Sequence, residues 1–165
     1  MTTQTADLKQ IGTGLKAETR KQIVTNLNTL LADEHVLYTK TRNFHWNVTG
    51  IHFSTLHALF EEQYDAIKLM ADEIAERTRK LGGFAIGSMR AFSQFMRLED
   101  APDTQITAEA MLIDLVEDHE QIIRNLREDI DRAAELGDEG TADMLTGIMR
   151  QHESIAWMLR SMLQS

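Results

Sequence analysis

The stretch STLHALFEEQYDAIKLMADEIAERTRKL, residues 54–81, carries the clearest structural signal of the chain. Its apolar side chains recur every three or four residues, which places them on one face of an α-helix. Gly82 and Gly83 follow directly and provide a helix stop. An amphipathic helix of this length predicts a bundle, because its apolar stripe must pack against other long helices. The stripe consists of Leu56, Leu59, Phe60, Tyr64, Ile67, Ala71, Ile74 and Thr78.

Three further segments show the same helical periodicity. Residues 19–48 precede the quoted stretch, and residues 107–136 and 139–163 follow it. The links within the first pair of helices and within the second pair are short and contain Gly50 and Gly137. Short links between long helices predict two antiparallel hairpins.

The connection between the two predicted hairpins is much longer. Residues 82–106 contain the lone proline, Pro102, and a possible short helix over 89–95. A connection of this length can traverse a bundle, so the sequence predicts an all-α, ferritin-like four-helix bundle with a long crossover that carries a short extra helix. A simple up-and-down bundle with a long middle loop is the alternative.

The composition limits the class of protein. A chain of 165 residues with 42% hydrophobic content suits one domain, predicted over 19–165 after a flexible tail over 1–18. The absence of cysteine excludes a disulfide framework and a thiolate metal site. No signal-peptide pattern or membrane span is visible, so a cytoplasmic location is expected. A net charge of -9 disfavours nucleic acid as a default partner.

Two pairs of candidate metal ligands lie on the second helix. His57 with Glu61 and Asp72 with Glu76 are each four residues apart, which puts each pair on one helix face. The two pairs share a side of the helix, but about 22 Å separates them along its axis. One ion cannot span that distance. We therefore predict a site in which the histidine end of one chain meets the carboxylate end of an antiparallel second copy, with His45 contributing from the end of the first helix.

The donor types indicate the metal. Imidazoles combined with carboxylates suit iron, manganese or zinc better than calcium, which prefers oxygen ligands alone. No histidine has Asp or Glu three residues before it, which excludes the Glu-x-x-His pattern of a di-iron centre inside the bundle. His35, His119 and His152 have no partner at ligand spacing and are interpreted as satisfied or solvent-facing. His52 lies in the loop near the candidate site and is interpreted as a capping residue, with a supporting role behind the metal ligands as the alternative.

Three motifs resemble the signature of the Dps proteins (DNA-binding proteins from starved cells), or mini-ferritins. They are NFHWNVTG at 43–50, LHALFEE at 56–62 and DEIAERTRKLGG at 72–83. The resemblance implies a dodecameric shell with ferroxidase sites at two-fold interfaces, which oxidises Fe(II), preferentially with hydrogen peroxide, and stores ferric mineral. Such an activity would protect the cell, and its DNA, against oxidative damage.

The resemblance also assigns residues. One chain would supply His45, His57 and Glu61, where many members have Asp in place of this glutamate, and its partner would supply Asp72 and Glu76.

Further roles follow from the same resemblance. Trp46 resembles the tryptophan near the site that intercepts radicals, and iron would enter through pores lined by Asp138 and Asp143, with Glu135 or Glu139 as other candidates. Helix capping is the competing interpretation of these carboxylates. The alternative function is a nucleoid-associated, DNA-binding shell with incidental iron binding, but the tail over 1–20 is only weakly basic.

Overall fold

A computed structural model describes residues 11–164 and contains four long helices and one short one. The helices are α1 (Ala17–Asn47), α2 (Phe53–Lys80), α3 (Met89–Phe95), α4 (Ala108–Glu135) and α5 (Glu139–Leu163). The predicted all-α fold, its two hairpins and the short crossover helix are confirmed, with helix ends within two residues of the prediction. Residues 1–10 of the predicted tail lie outside the described residues. None of the described helices has the length and apolar character to cross a membrane.

Each hairpin turns at a glycine whose backbone other residues rarely adopt. Gly50, between α1 and α2, has φ of 106°, and Gly137, between α4 and α5, has φ of 76°. A side chain at a positive φ clashes with the backbone, so glycine permits these tight reversals at little cost. The next residue after Gly137 is Asp138, whose side chain caps the first turn of α5 by accepting a hydrogen bond from the Thr141 amide.

The crossover is attached to the first helix at two points. The Asn28 amide donates to the Phe84 carbonyl and its oxygen accepts from the Ile86 amide, at 3.0 and 3.1 Å. Further along, the Arg97 backbone and guanidinium both donate to the fully buried Asp33 carboxylate. These bonds hold α3 against α1, which explains why the long connection forms a layer of the fold and not a free loop.

The centre of the bundle contains a buried polar chain that joins three helices. His152 Nε2 on α5 lies 2.9 Å from Glu34 Oε1 on α1, and His152 Nδ1 lies 2.8 Å from His119 Nδ1 on α4. All three side chains are fully buried. Burial lowers the pKa of His119 well below its usual value, so this imidazole is neutral. His119 and His152 are therefore core histidines, and the solvent-facing interpretation is wrong for both. Both ring nitrogens of His152 have partners, as a satisfied histidine requires, whereas His119 Nε2 is buried without a hydrogen-bond partner.

A buried ion pair lies beside this chain of polar side chains. Lys40 Nζ on α1 is 2.7 Å from Asp118 Oδ2 on α4, and the two side chains are 1% and 10% exposed. Burial raises the pKa of Asp118 to about 6, although the nearby Lys40 ammonium lowers it. The ion pair thus links α1 to α4 across the bundle.

Candidate metal centre

The candidate centre begins with two imidazoles that face each other across the hairpin of α1 and α2. The rings of His45 and His57 stack with centroids 3.7 Å apart and planes inclined by 21°. His45 Nδ1 donates to the His57 carbonyl at 2.7 Å, and His57 Nδ1 donates to the His45 carbonyl at 2.9 Å. Each histidine therefore orients the other through its own backbone.

These reciprocal bonds select one tautomer for both rings. A carbonyl oxygen can only accept, so each Nδ1 must carry a proton, and in the neutral form of the ring the lone pair is then on Nε2. A neutral imidazole whose second nitrogen donates to a carbonyl is the usual state of a histidine that binds a metal through Nε2. His45 is buried and His57 is half-buried, so the pair lies at the edge of the bundle core.

Glu61 lies one turn further along α2 and is held by a neighbouring tyrosine. The Tyr64 hydroxyl donates to Glu61 Oε1 at 3.3 Å, and the edge of the Tyr64 ring faces the His45 ring at 5.4 Å between centroids. Burial raises the pKa of the Tyr64 phenol, and the Glu61 carboxylate raises it further. The phenol therefore stays protonated, and its hydroxyl can donate a hydrogen bond to the carboxylate.

An arginine lies between the aromatic side chains of this region. The Arg42 guanidinium is 5.0 Å from the Trp46 ring centroid, 5.4 Å from that of Tyr38 and 5.5 Å from that of Tyr64. It also donates to the Tyr38 hydroxyl at 2.9 Å. These contacts fix the aromatic side chains around one cation. Trp46 itself is 62% exposed, on the turn of α1 that carries His45.

The predicted carboxylate ligands occupy the opposite end of α2. Asp72 and Glu76 are both exposed, and Glu76 pairs with Lys80 at 3.2 Å. At 1.5 Å per residue, the 15 positions between His57 and Asp72 correspond to about 22 Å of continuous helix. The helix is unbroken across this span, so one chain does not bring its histidines and these carboxylates together. Within residues 11–164, no three acidic or histidine side chains form a group able to hold a metal ion.

Asp72 borders an open groove between α1, α2 and α3. Its lining includes Tyr38 and His35, whose ring stacks on Phe92 at 4.0 Å. His35 Nδ1 donates to the Leu31 carbonyl, as expected of a satisfied helix histidine. Beside Asp72 the groove exposes two large apolar side chains, Leu69 at 69% and Met89 at 75%. The carboxylate end of α2 therefore lies on a partly apolar surface.

The two principal pore candidates differ in their surroundings. Asp138 is 4% exposed, and its carboxylate accepts from the Thr141 amide, from the Thr141 hydroxyl and from the Arg77 guanidinium, the last at 2.6 Å. Both oxygens are engaged, so the structure favours the capping interpretation for Asp138. Asp143 is exposed on the first turns of α5 and stays a pore prediction, as do Glu135 and Glu139, which are also exposed.

Sequence reasoning missed the contacts of Tyr64 and Arg42 with the site. Tyr64 belongs to the predicted apolar stripe of α2, but it lies half-buried at the edge of the core. Its position three residues after Glu61 was the available signal, because such residues are neighbours on a helix. Arg42 precedes His45 by three residues and offered the same clue. His52 directly precedes α2 and makes no side-chain capping bond, so its predicted capping role is wrong.

The order of the helices, the long crossover and the ligand-bearing hairpin define a class of protein. Residues 24–165 match the model of the ferritin-like domain. The chain is also similar in structure to the Dps protein of Vibrio cholerae O1, described as a member of a broad superfamily of ferritin-like diiron-carboxylate proteins. That comparison gives a TM-score of 0.88 at 30% identity and covers 99% of this chain and 100% of the other.

Two relatives narrow the class to a family. An uncharacterized low temperature-induced protein of Nostoc sp. is 47% identical over 95% of this chain and 88% of its own length. DNA protection during starvation protein 2 of Bacillus anthracis is 39% identical over 87% of this chain and 97% of its own. This chain belongs to the Dps family of ferritin-like proteins.

Proposed function

We propose that this protein is an iron-oxidising and iron-storing mini-ferritin. Its substrate is Fe(II), which it oxidises at sites shared between two chains, and it keeps the ferric product inside a dodecameric shell in the cytoplasm. Iron binding is what membership of the ferritin-like class implies. The observation that carries the proposal is the stacked pair of His45 and His57, both held with Nε2 free to bind a metal.

The second half of each site is proposed to come from a partner chain. In an antiparallel pair of α2 helices related by a two-fold axis, the His57 end of one helix lies beside the Asp72 end of the other. Exposed Leu69 and Met89 next to Asp72 support an interface there, since large apolar side chains seek a covering surface. The symmetry creates the same meeting twice, so each pair of chains has two sites.

The completed site would suit a divalent metal that changes its oxidation state. Two imidazoles from one chain and carboxylates from both provide mixed nitrogen and oxygen ligands, which iron accepts and for which zinc or manganese could substitute. Glu76 would have to exchange its contact with the exposed Lys80 for the metal, which is cheap because exposed ion pairs contribute little. Hydrogen peroxide would take one electron from each of two Fe(II) ions, giving two Fe(III) and two hydroxides.

Ferric absorbance after addition of Fe(II) and peroxide tests the activity. We expect the wild-type protein to oxidise Fe(II) well above the uncatalysed rate, and both His45→Ala/His57→Ala and Asp72→Asn/Glu76→Gln to lose that excess. Glu73→Gln removes an exposed carboxylate of the same helix outside the proposed ligand set and is the matched control. Equal rates in the wild type and the histidine variant would contradict the proposal.

Mixed assemblies test whether the site is shared. Chains that lack only the histidines are refolded or co-expressed with chains that lack only Asp72 and Glu76. In each mixed pair one site keeps only Glu61 of its proposed ligands and the other site is intact, so random mixing should restore about a quarter of the wild-type activity. A site built within one chain would regain nothing in the mixture.

The name of the Bacillus anthracis relative also raises direct DNA protection as a function. Removal of Fe(II) and peroxide would itself protect DNA, because these two reactants generate hydroxyl radicals. Binding of DNA to the protein is disfavoured by the charge of -9 per chain, which is multiplied in an assembly of many chains. A gel-shift titration at low salt near neutral pH measures this, and retardation of the DNA would support the nucleoid-associated alternative.

A further inference from the structure

We propose that Tyr64 is a positioning residue of the metal centre, which holds Glu61 in the orientation that receives a metal ion beside His45. The inference rests on the function proposed above and extends it to a residue outside the ligand set. Tyr64 contacts both a proposed carboxylate ligand, through the 3.3 Å hydrogen bond to Glu61, and a proposed imidazole ligand, through the edge-on contact with His45.

The tyrosine is itself held from the other side. Its ring meets the Tyr38 ring at 90° with centroids 5.9 Å apart, and the Arg42 guanidinium lies 5.5 Å from its centroid. Arg42 in turn donates to the Tyr38 hydroxyl at 2.9 Å. Edge-on aromatic contacts and a neighbouring guanidinium restrict the ring to one orientation. A restrained hydroxyl can therefore restrain the carboxylate that accepts from it.

The need for such a restraint follows from the chemistry of Glu61. A glutamate side chain has one more rotatable bond than aspartate, so an exposed glutamate loses more conformational freedom when it binds a metal. The Tyr64 hydroxyl engages one carboxylate oxygen, Oε1, and leaves Oε2 for the ion. Part of the ordering is then already present before the metal arrives, which raises the affinity of the site.

Tyr64→Phe tests the proposal because it removes the hydroxyl and keeps the ring. Co(II) binding is measured on the assembled full-length protein by calorimetry and by the d–d absorption of the ion. This measurement needs no hydrogen peroxide. We expect Tyr64→Phe to bind Co(II) about fivefold more weakly, or about 1 kcal/mol, at 1.4 kcal/mol per tenfold change. In the Fe(II) assay the variant should raise KM several-fold and leave kcat nearly unchanged.

Two further variants separate positioning from a general structural effect. Thr39→Val removes an exposed hydroxyl of α1 that bonds the His35 carbonyl and no proposed ligand, so its Co(II) affinity should equal that of the wild type. In the Glu61→Gln protein, Tyr64→Phe should weaken Co(II) binding much less than it does in the wild type, because an uncharged amide oxygen is a weaker acceptor. Full additivity of the two changes would overturn the proposal.

The outcomes also distinguish this proposal from the one on which it rests. Equal Co(II) affinities of wild type and Tyr64→Phe, with weak binding by His45→Ala/His57→Ala, would overturn the role of Tyr64 and leave the metal centre in place. If the histidine variant instead binds Co(II) as well as the wild type, the centre itself is wrong, and the positioning role falls with it.

Discussion

Replacement of Lys40 by methionine should destabilise the protein, and by an amount that depends on pH. The Lys40 ammonium lies 2.7 Å from Asp118 and 3.9 Å from Asp114, and it is 1% exposed. Without this ammonium, the Asp118 carboxylate is still buried away from water but has lost its nearest positive charge. Breaking one partner of a buried ion pair costs about 3–5 kcal/mol. Because the Asp118 side chain retains 10% exposure, we expect about 3 kcal/mol above pH 7.

The sign of the pH effect follows from the raised pKa of Asp118. An acid whose folded pKa is about 6, against 3.8 ordinarily, favours the folded state more strongly in its protonated form. Stability from this group is therefore gained as the pH falls through 6, by up to about 3 kcal/mol at 1.4 kcal/mol per pH unit. Once Asp118 is neutral it no longer needs Lys40, so the cost of Lys40→Met should fall to about 1 kcal/mol or less near pH 5.

Thermal unfolding at matched protein concentration measures both quantities. For a chain of this size 1 kcal/mol changes Tm by about 2–4 °C, so Lys40→Met should unfold about 6–12 °C below the wild type at pH 8 and only a few degrees below it at pH 5. Comparing two proteins at each pH cancels the titration of other groups. Lys21→Met, an exposed site on the same helix, is the control and should change Tm little. A difference that stays constant from pH 8 to pH 5 would refute the reasoning.

Two other changes probe the packing of the bundle. Gly83→Ala should destabilise the fold by about 1–3 kcal/mol, because its Cβ would lie 2.5 Å from Val24 Cγ1, whereas Gly87→Ala, with open space at the same atom, should change Tm little. Val24→Ala should recover part of the loss in the Gly83→Ala protein, and an unchanged Tm of Gly83→Ala alone would contradict the contact. His152→Leu should lower the free energy of unfolding by about 3 kcal/mol near pH 7, since the fully buried Glu34 would lose its partner. A double variant that adds Glu34→Leu should have a higher Tm than His152→Leu, and a lower Tm would count against this account.

The helices could be predicted from sequence because the signals that begin and end them are local. The stripe of α2, the glycine at 137 and the N-cap Asp138 act within one or two turns, and the helix ends agree with them. The candidate ligands His45 and His57 could also be named from the sequence, since their types and spacing are visible there. Their stacking and reciprocal bonds were not, because these depend on how α1 and α2 pair across the turn at Gly50.

The polar core could not be predicted for a different reason. Asp33 and Glu34 look like an interruption of the apolar pattern of the first helix, but their partners lie far away in sequence. Glu34 meets His152, 118 positions later, and Asp33 meets Arg97, 64 positions later. No periodicity within one helix encodes such a pairing. It follows only from the register in which the crossover and the second hairpin pack on the first.

The paired imidazoles have a consequence for how this sequence can change over time. Each ring is oriented by the main-chain carbonyl of the residue that carries the other, and every amino acid at that position has such a carbonyl. Replacement of one histidine therefore removes one imidazole and its stacking contact but leaves the acceptor that orients the remaining ring. The orientation of each imidazole depends on the pairing of α1 with α2 and not on the identity of its neighbour, so a lineage can change one of these positions while the other keeps its geometry.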